Sequence, residues 1–240
     1  MNHSSMPVRT QALGRDVSLS WHWPSYDVSR VYGCYFLVVG VLFVVGYGGS
    51  NWLAAQRLQQ LHLYLPAELA IPFIPEMIAP YLSINLLFAL PLFRLGAEEL
   101  RLLGRQLIAT TLIATAFFLC VPTALGFTRQ TIATDFAPAY QLLYLLDYPY
   151  NCVPSLHVAY ASQIVFALAA RGSHRLRASL ALWLSLIMVS TVLTHQHNIL
   201  DLACGLLLAA ATRAMVRKRG SRPATRIRQH GVATQTAGSE

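Results

Sequence analysis

The chain has 240 residues, of which 55% are hydrophobic and only 12% are charged. A soluble domain carries about a quarter charged residues, and the apolar residues here fall in blocks near the ~20 needed to cross a bilayer. The composition therefore excludes an ordinary soluble domain and predicts an all-α, polytopic membrane protein. The net charge of +8 does not indicate nucleic-acid binding, because no basic face with interleaved aromatic residues is present.

Long apolar runs predict six transmembrane helices. The runs cover residues 31–49, 77–93, 107–121, 155–170, 178–193 and 198–212. Repeated prolines between the first two runs predict a loop over 51–76 that holds a short interfacial helix, with Glu68 and Glu76 as solvated carboxylates. Residues 94–105 and 122–154 are predicted to be connections.

The flanking segments complete the predicted organisation. Residues 1–30 form an N-terminal segment, residues 31–212 the membrane domain, and residues 213–240 a basic, disordered tail. No CxxC pair occurs among the four cysteines, so we expect neither a disulfide framework nor a zinc site.

The basic residues predict the orientation of these spans. If the N-terminus is cytoplasmic, all Lys and Arg except Arg57 and Arg129 fall in cytoplasmic segments, as the positive-inside rule requires. We therefore expect both termini to be cytoplasmic and the site to lie on the periplasmic or outer face. The predicted location is a bacterial inner (plasma) membrane, with membrane lipids around the spans.

A histidine and an aspartate stand four residues apart at the start of the sixth predicted span. His197 and Asp201 should share one face of that helix. The carboxylate can then accept a hydrogen bond from one imidazole nitrogen and leave the other nitrogen free as a nucleophile. Taken alone, this pair would also fit a helix-packing role.

A second histidine follows Pro154 and Ser155 at the start of the fourth predicted span. Proline suits a first-turn position and serine a helix cap, and the free amides of a helix N-terminus favour an anion. Ser155 could donate its hydroxyl to a phosphate oxygen, and His157 could protonate a leaving oxygen.

Together the two motifs predict phosphoryl transfer to and from a lipid phosphate. His197 would attack phosphorus, and His157 would protonate the departing oxygen. Amides, hydroxyls and Arg129 would stabilise the developing charge, so we expect no metal and no cofactor. A metal site remains the competing interpretation, with His195 as a further ligand beside His157 and His197.

The motifs resemble those of a known family. Pro154-Ser155-Leu156-His157 and Ser190-x6-His197-x3-Asp201 are similar to the second and third signature motifs of the type-2 phosphatidic acid phosphatase superfamily. The resemblance covers about residues 79–212. It implies a helical membrane fold and a metal-independent mechanism with His197 as nucleophile, Asp201 as its partner and His157 as general acid and base.

The sequence departs from the family pattern at two cationic positions. The third motif usually begins Ser-Arg, whereas this chain has Ser190 and Thr191, which by resemblance would contact phosphate. Arg129 matches the arginine of the first motif, but Pro122 stands where a lysine is usual. The third motif looks more like the branch that contains inositol phosphorylceramide synthases.

Three functions remain open from the sequence. The first is hydrolysis of a lipid phosphate through a phosphohistidine. The second is a phosphotransferase that moves a phospho-head group onto a lipid alcohol, which the missing clamps favour because a phosphodiester carries less charge. The third is a non-catalytic transporter or assembly protein, although inverted repeats and broken helices are not apparent.

Overall fold

The computed structural model describes residues 23–220, and these are mostly helical. The helices are α1 (Tyr26–Leu42), α2 (Gly49–Ala55), α3 (Ile78–Leu82), α4 (Ile84–Arg94), α5 (Ala97–Cys120), α6 (Ala137–Leu146), α7 (Leu156–Ala169), α8 (His174–Leu193) and α9 (Ile199–Gly220). A π-helical segment, Phe43–Gly48, joins α1 to α2 without a break. The predicted helical class is confirmed.

Within residues 23–220, five helical segments are long and apolar enough to cross a membrane. They are Tyr26–Ala55, Pro75–Arg94, Ala97–Cys120, His174–Leu193 and Ile199–Arg219. The remaining predicted span corresponds to α7, which has 14 residues and is shorter than a typical span. Five of the six predicted spans thus have the required length, and the six-span count stays a prediction.

Two predicted boundaries are wrong by several residues. The first helical segment runs from Tyr26 to Ala55 rather than over 31–49, and α5 begins at Ala97 rather than at 107. The backbone N–H of Gly96 donates to Glu99 Oε2 at 2.9 Å, which starts α5 early. Charged residues that the hydropathy pattern assigned to a connection therefore lie on the first turns of a helix.

The two long predicted loops contain short elements. Residues 51–76 hold a 3₁₀ turn, Pro66–Ala70, and strand β1 (Leu61–His62), which pairs in parallel with β2 (Thr123–Ala124). Residues 122–154 contain α6.

The C-terminal boundary also differs from the predicted one. Helix α9 continues to Gly220, so the basic residues just after 212 are helical, in contrast to the disordered tail predicted from 213. Residues 1–22 and 221–240, which hold most of the predicted N-terminal segment and tail, lie outside the described range.

Helix α7 lies at the centre of the bundle. It packs against α4, α5, α8 and α9, and most of its side chains are buried. Its sequence is apolar on all faces, as expected for a helix with neighbours all round. Polar contacts also cross the interior. Gln163 Nε2 donates to Thr110 Oγ1 and to Thr212 Oγ1, each at 2.7 Å, and the hydroxyls of Tyr160 and Thr111 lie 2.6 Å apart.

The bundle has two chemically different ends. The end of α4, the start of α5 and the α7–α8 turn meet at what we call the basic end, where Arg171 pairs with Glu99 at 3.2 Å. The start of α7, the end of α8 and the start of α9 meet at the opposite, histidine end. Arg57 and Arg129, the two basic residues that the charge sorting set apart, belong to connections at the histidine end.

Candidate functional site

The two histidine motifs meet at the histidine end through the backbone. Ser155 caps α7, since its Oγ accepts from Val158 N at 3.3 Å, and its own N–H donates to the carbonyl of Asp201 at 3.1 Å. This bond joins the residue before α7 to the first turn of α9.

Close packing of α7 and α9 depends on a glycine. A Cβ placed on Gly205 would lie 2.6 Å from the Ser155 carbonyl oxygen and 3.2 Å from Val158 Cβ. Any side chain here would collide with backbone atoms, so Gly205 allows the approach that brings the two motifs together.

His197 and Asp201 are in contact, but through a helix cap rather than a shared helix face. His197 precedes α9, and its Nδ1 lies 3.1 Å from Asp201 Oδ2. The same oxygen accepts from the backbone N–H of Asn198 at 2.8 Å. Asp201 is 1% exposed. Because its carboxylate holds Nδ1, the proton belongs on Nδ1, and Nε2 keeps its lone pair.

A second carboxylate supports the same turn, in contrast to the solvated position predicted for it. Glu68 is 4% exposed rather than solvated. Its Oε2 accepts from Asn198 Nδ2 at 3.1 Å and from Ile199 N at 2.9 Å, at the N-terminus of α9. Glu68 lies 130 positions away from Asn198, and no local pattern links the two.

His157 and His197 line one cavity of about 1000 Å³. The His157 ring stacks on Tyr81, with ring centres 4.3 Å apart. Its Nε2 is buried and makes no hydrogen bond to the described residues. A ring held by stacking, with a nitrogen left free beside a second histidine, is suited to exchanging a proton with a bound group.

The hydroxyls predicted to bind phosphate form hydrogen bonds with the protein backbone. Ser190 Oγ donates to Ile187 O at 2.6 Å, and Thr191 Oγ1 donates to Met188 O at 2.7 Å. Both side chains, and that of Ser155, are fully buried and do not line the cavity. Thr191 acts instead through its carbonyl, which accepts from His197 N at 3.0 Å. Phosphate binding by these three residues stays a prediction.

The Arg129 guanidinium also binds backbone carbonyls in this structure. Its Nη1 donates to the Tyr144 carbonyl at 3.0 Å and its Nη2 to the Asp147 carbonyl. The guanidinium lies 4.5 Å from the centre of the Tyr144 ring. Arg129 does not line the cavity, so its role as a phosphate clamp also stays a prediction.

Asp147 lines the cavity, although no role was predicted for it. It lies just after α6, and its carboxylate bonds to Tyr47 and Asn51. Burial raises the pKa of Asp147, while the hydrogen bond from Tyr47 and the nearby His197 oppose that rise. Its sequence signal is weak, because an acid in a loop is usually solvated.

His195 belongs to the framework rather than to the cavity. Its φ is 53°, and its Nε2 lies 3.0 Å from the carbonyl oxygen of Ile71. The ring stacks on Phe127 with centres 4.0 Å apart. Among residues 23–220, no three His, Cys, Asp or Glu side chains converge as metal ligands would.

Comparison with known protein families gives a match. The family model of the PAP2 superfamily matches residues 79–215, more than half of the chain and all of both histidine motifs. No curated protein and no solved structure matches the chain significantly.

Proposed function

Because the chain belongs to the PAP2 superfamily, we propose that it is an integral-membrane lipid phosphate phosphatase that acts through a phosphohistidine. Family membership supports a phosphatase or phosphotransferase activity. The observation that carries the finer proposal is the single cavity lined by His157 and His197, with Asp201 behind His197.

The first step transfers the phosphoryl group to the protein. His197 Nε2 attacks phosphorus, a P–N bond forms, and the bond from phosphorus to the lipid oxygen breaks. His157 gives its proton to the departing oxygen, which leaves as an alcohol. Asp201 stabilises the positive charge that develops on the His197 ring.

The second step returns His197 to its starting state. Water attacks phosphorus on the face opposite the P–N bond and gives a proton to His157. The P–N bond breaks and phosphate leaves. The amides of Leu156 and His157 stand in the first turn of α7, where helices leave N–H groups unpaired, and we propose that they bind phosphate oxygens.

The cavity suits a lipid substrate. It runs along α1 and the π-helical segment from Tyr32, towards the basic end, to Gly48 beside the histidine end. These 16 residues of helix correspond to about 24 Å. Its lining is mainly aromatic and aliphatic. An acyl chain can lie in this space while its phosphate reaches His157 and His197.

The proposed topology follows from the grouping of charges. The basic end carries arginines from α5 and from the α7–α8 turn, which favours a cytoplasmic position. On this basis α7 completes six spans, both termini are cytoplasmic, and the site faces the periplasmic or outer side of a bacterial inner membrane.

The test is release of inorganic phosphate from phosphatidate and from a polyprenyl pyrophosphate by purified protein in detergent, with a chelator present. We expect release to continue under chelation and to fall to background in His197→Ala and His157→Ala. Loss under chelation would contradict the metal-independent mechanism. Unchanged release in both variants would contradict the assignment of the two histidines.

A phosphotransferase is the second candidate, and a specific observation favours it. No Lys or Arg from residues 23–220 lines the cavity, so a dianionic monoester would find no cationic clamp there. A phosphodiester donor and a lipid alcohol would then replace the monoester and water. Product formation that rises with added lipid alcohol, without release of inorganic phosphate, would identify this reaction.

A further inference from the structure

The cavity that holds the two histidines also has hydrogen-bond acceptors in its wall. Asp147 and Asn151 line it together with His157 and His197. Both come from the segment between α6 and α7.

The Asp147 carboxylate is held by two donors on one oxygen. Oδ1 accepts from the hydroxyl of Tyr47 at 2.7 Å and from Asn51 Nδ2 at 2.8 Å. Residues 23–220 provide no hydrogen-bond donor for Oδ2. Tyr47 lies in the π-helical segment, a kind of distortion that is frequent at functional sites.

The Asn151 side chain presents a second acceptor, and its neighbours fix its orientation. Nδ2 lies 2.8 Å from Ser50 Oγ and 3.4 Å from the carbonyl oxygen of Tyr47. A carbonyl accepts only, and Ser50 donates its own hydrogen to Gly46 O at 2.6 Å. The amide nitrogen must therefore face these groups, which leaves Oδ1 buried and without a donor in the described part of the chain.

Arg129 fixes the segment that carries Asp147. By binding the carbonyls of Tyr144 and Asp147, it holds the C-terminal end of α6 in place. In this structure the Arg129 guanidinium thus positions a carboxylate at the cavity wall.

An unpaired buried acceptor such as Asn151 Oδ1 is unfavourable unless a ligand supplies the hydrogen. Asp147 is only half-buried, so its Oδ2 is open to a donor from a ligand in the cavity. A carboxylate beside the phosphate position repels a second negative charge and attracts a hydroxyl or an ammonium group. A substrate with only a terminal phosphate leaves both acceptors unmet.

From this geometry we propose that Asp147 and Asn151 form a head-group subsite that binds hydrogen-bond donors, either hydroxyl or ammonium, on a group esterified to the lipid phosphate. This proposal rests on the phosphohistidine chemistry that both candidate reactions share. It favours the phosphotransferase candidate, because it adds that the preferred donor is a phosphodiester.

Binding without turnover tests the subsite. Full-length protein with His197→Ala is mixed in detergent with four lipids of equal acyl chains, and retained lipid is measured by native mass spectrometry. The lipids are phosphatidylglycerol, phosphatidylethanolamine, phosphatidylcholine and phosphatidate. We expect the glycerol or ethanolamine lipid to bind about tenfold more tightly than the choline lipid or phosphatidate.

Two substitutions in the His197→Ala protein test which residues cause the lipid preference. Asp147→Asn turns the free acceptor into a donor, so binding of the preferred lipid should fall about tenfold and that of phosphatidate should rise. Tyr47→Phe, which removes one bond to Asp147, should give a smaller change in the same direction. Asp135→Asn changes an exposed acid on the other side of α6 and should leave all four affinities unchanged.

The outcomes are separable. Preference for the glycerol lipid identifies hydroxyl recognition, and preference for the ethanolamine lipid identifies ammonium recognition. Phosphatidate as the best ligand, or an equal loss for all four lipids in folded Asp147→Asn, would overturn the proposal. Diacylglycerol release by protein with His197 intact is measured separately, so absent turnover with the binding preference kept would count against the proposed function alone.

Discussion

The two ends of the bundle carry charge in opposite ways. At the basic end, Glu98 and Glu99 keep 86% and 31% of their side-chain surface exposed and pair with arginines at the surface. At the histidine end, Glu68 and Asp201 are 4% and 1% exposed, and backbone N–H groups and amides hold them. The difference shows that these two acids at the basic end are solvated, whereas Glu68 and Asp201 at the histidine end are buried and hydrogen-bonded.

The charged residues at the two ends therefore have different roles, one in membrane orientation and one in the candidate site. Solvated ion pairs contribute little to stability, and the basic end can therefore serve orientation in the membrane. Buried carboxylates need hydrogen bonds to be tolerated, and each one at the histidine end fixes a turn or a ring. Substitution of a buried carboxylate at the histidine end should consequently lower activity by orders of magnitude, whereas substitution at the basic end should change the protein little.

The largest effect is expected for Asp201→Asn. The amide can still accept from Asn198 N, but it no longer stabilises the imidazolium of His197, so phosphate release should fall roughly a thousandfold. Steady-state kinetics with phosphatidate measures the loss. The matched change Asp27→Asn, in the exposed first turn of α1, should leave the rate unchanged, and a similar loss in both variants would remove the contrast between the ends.

Gly205→Ala should have the second-largest effect. Its methyl group would meet the Ser155 carbonyl at 2.6 Å, so α7 and α9 must separate. We expect a loss of about 1–3 kcal/mol in stability, seen as a lower Tm in detergent, together with reduced activity. Gly33→Ala is the control, because nothing lies within 4 Å of its added Cβ. An unchanged Tm for Gly205→Ala would contradict the close helix approach.

A smaller effect concerns pH and His195. Burial lowers the pKa of His195 from 6.5, so the folded state takes up this proton less readily than the unfolded chain does. Its contribution to stability is present above pH 6.5 and is lost as the pH falls through 6.5 towards the folded-state pKa.

The measurement is Tm at pH 7.5 and at pH 5. The wild-type protein should lose a few degrees on acidification, and His195→Gln should lose less. His174→Gln, at the exposed start of α8, should retain the full wild-type decrease. A decrease of the same size in His195→Gln would show that another group is responsible.

The smallest effect is expected at the basic end. Arg171→Gln removes the pair with Glu99, and because 70% of the Arg171 side chain is exposed, stability should change by less than about 1 kcal/mol. Chemical or thermal unfolding in detergent measures this value. A loss as large as that of Gly205→Ala would show that this ion pair is structural.

The sequence predicts the parts of this molecule that are encoded locally. Apolar runs indicate the membrane helices, and the spacing of His197 and Asp201 predicts their contact. Helix starts are harder to predict. The Glu99 carboxylate accepts a hydrogen bond from Gly96 N, so α5 begins within a charged segment. A hydropathy pattern assigns such charged residues to a loop.

Contacts between distant segments could not be predicted in this way. Glu68 supports the start of α9, and Asp147 faces the cavity from a loop, yet each reads as a solvated acid in its own neighbourhood. Their burial results from how the segments around residues 61–74 and 122–154 fold over the bundle. Arg129 shows the same limit, since the carbonyls of Tyr144 and Asp147 hold its guanidinium only after α6 has formed.

The central position of α7 has a consequence for the surrounding lipid. A helix of 14 residues would be too short for the hydrocarbon layer if lipid touched it, but neighbouring helices cover most of its surface. Bilayer thickness acts on the outer helices, which can tilt, and not directly on α7. The depth of His157 is therefore set by protein packing, and membranes of different thickness should present the same site to a substrate head group.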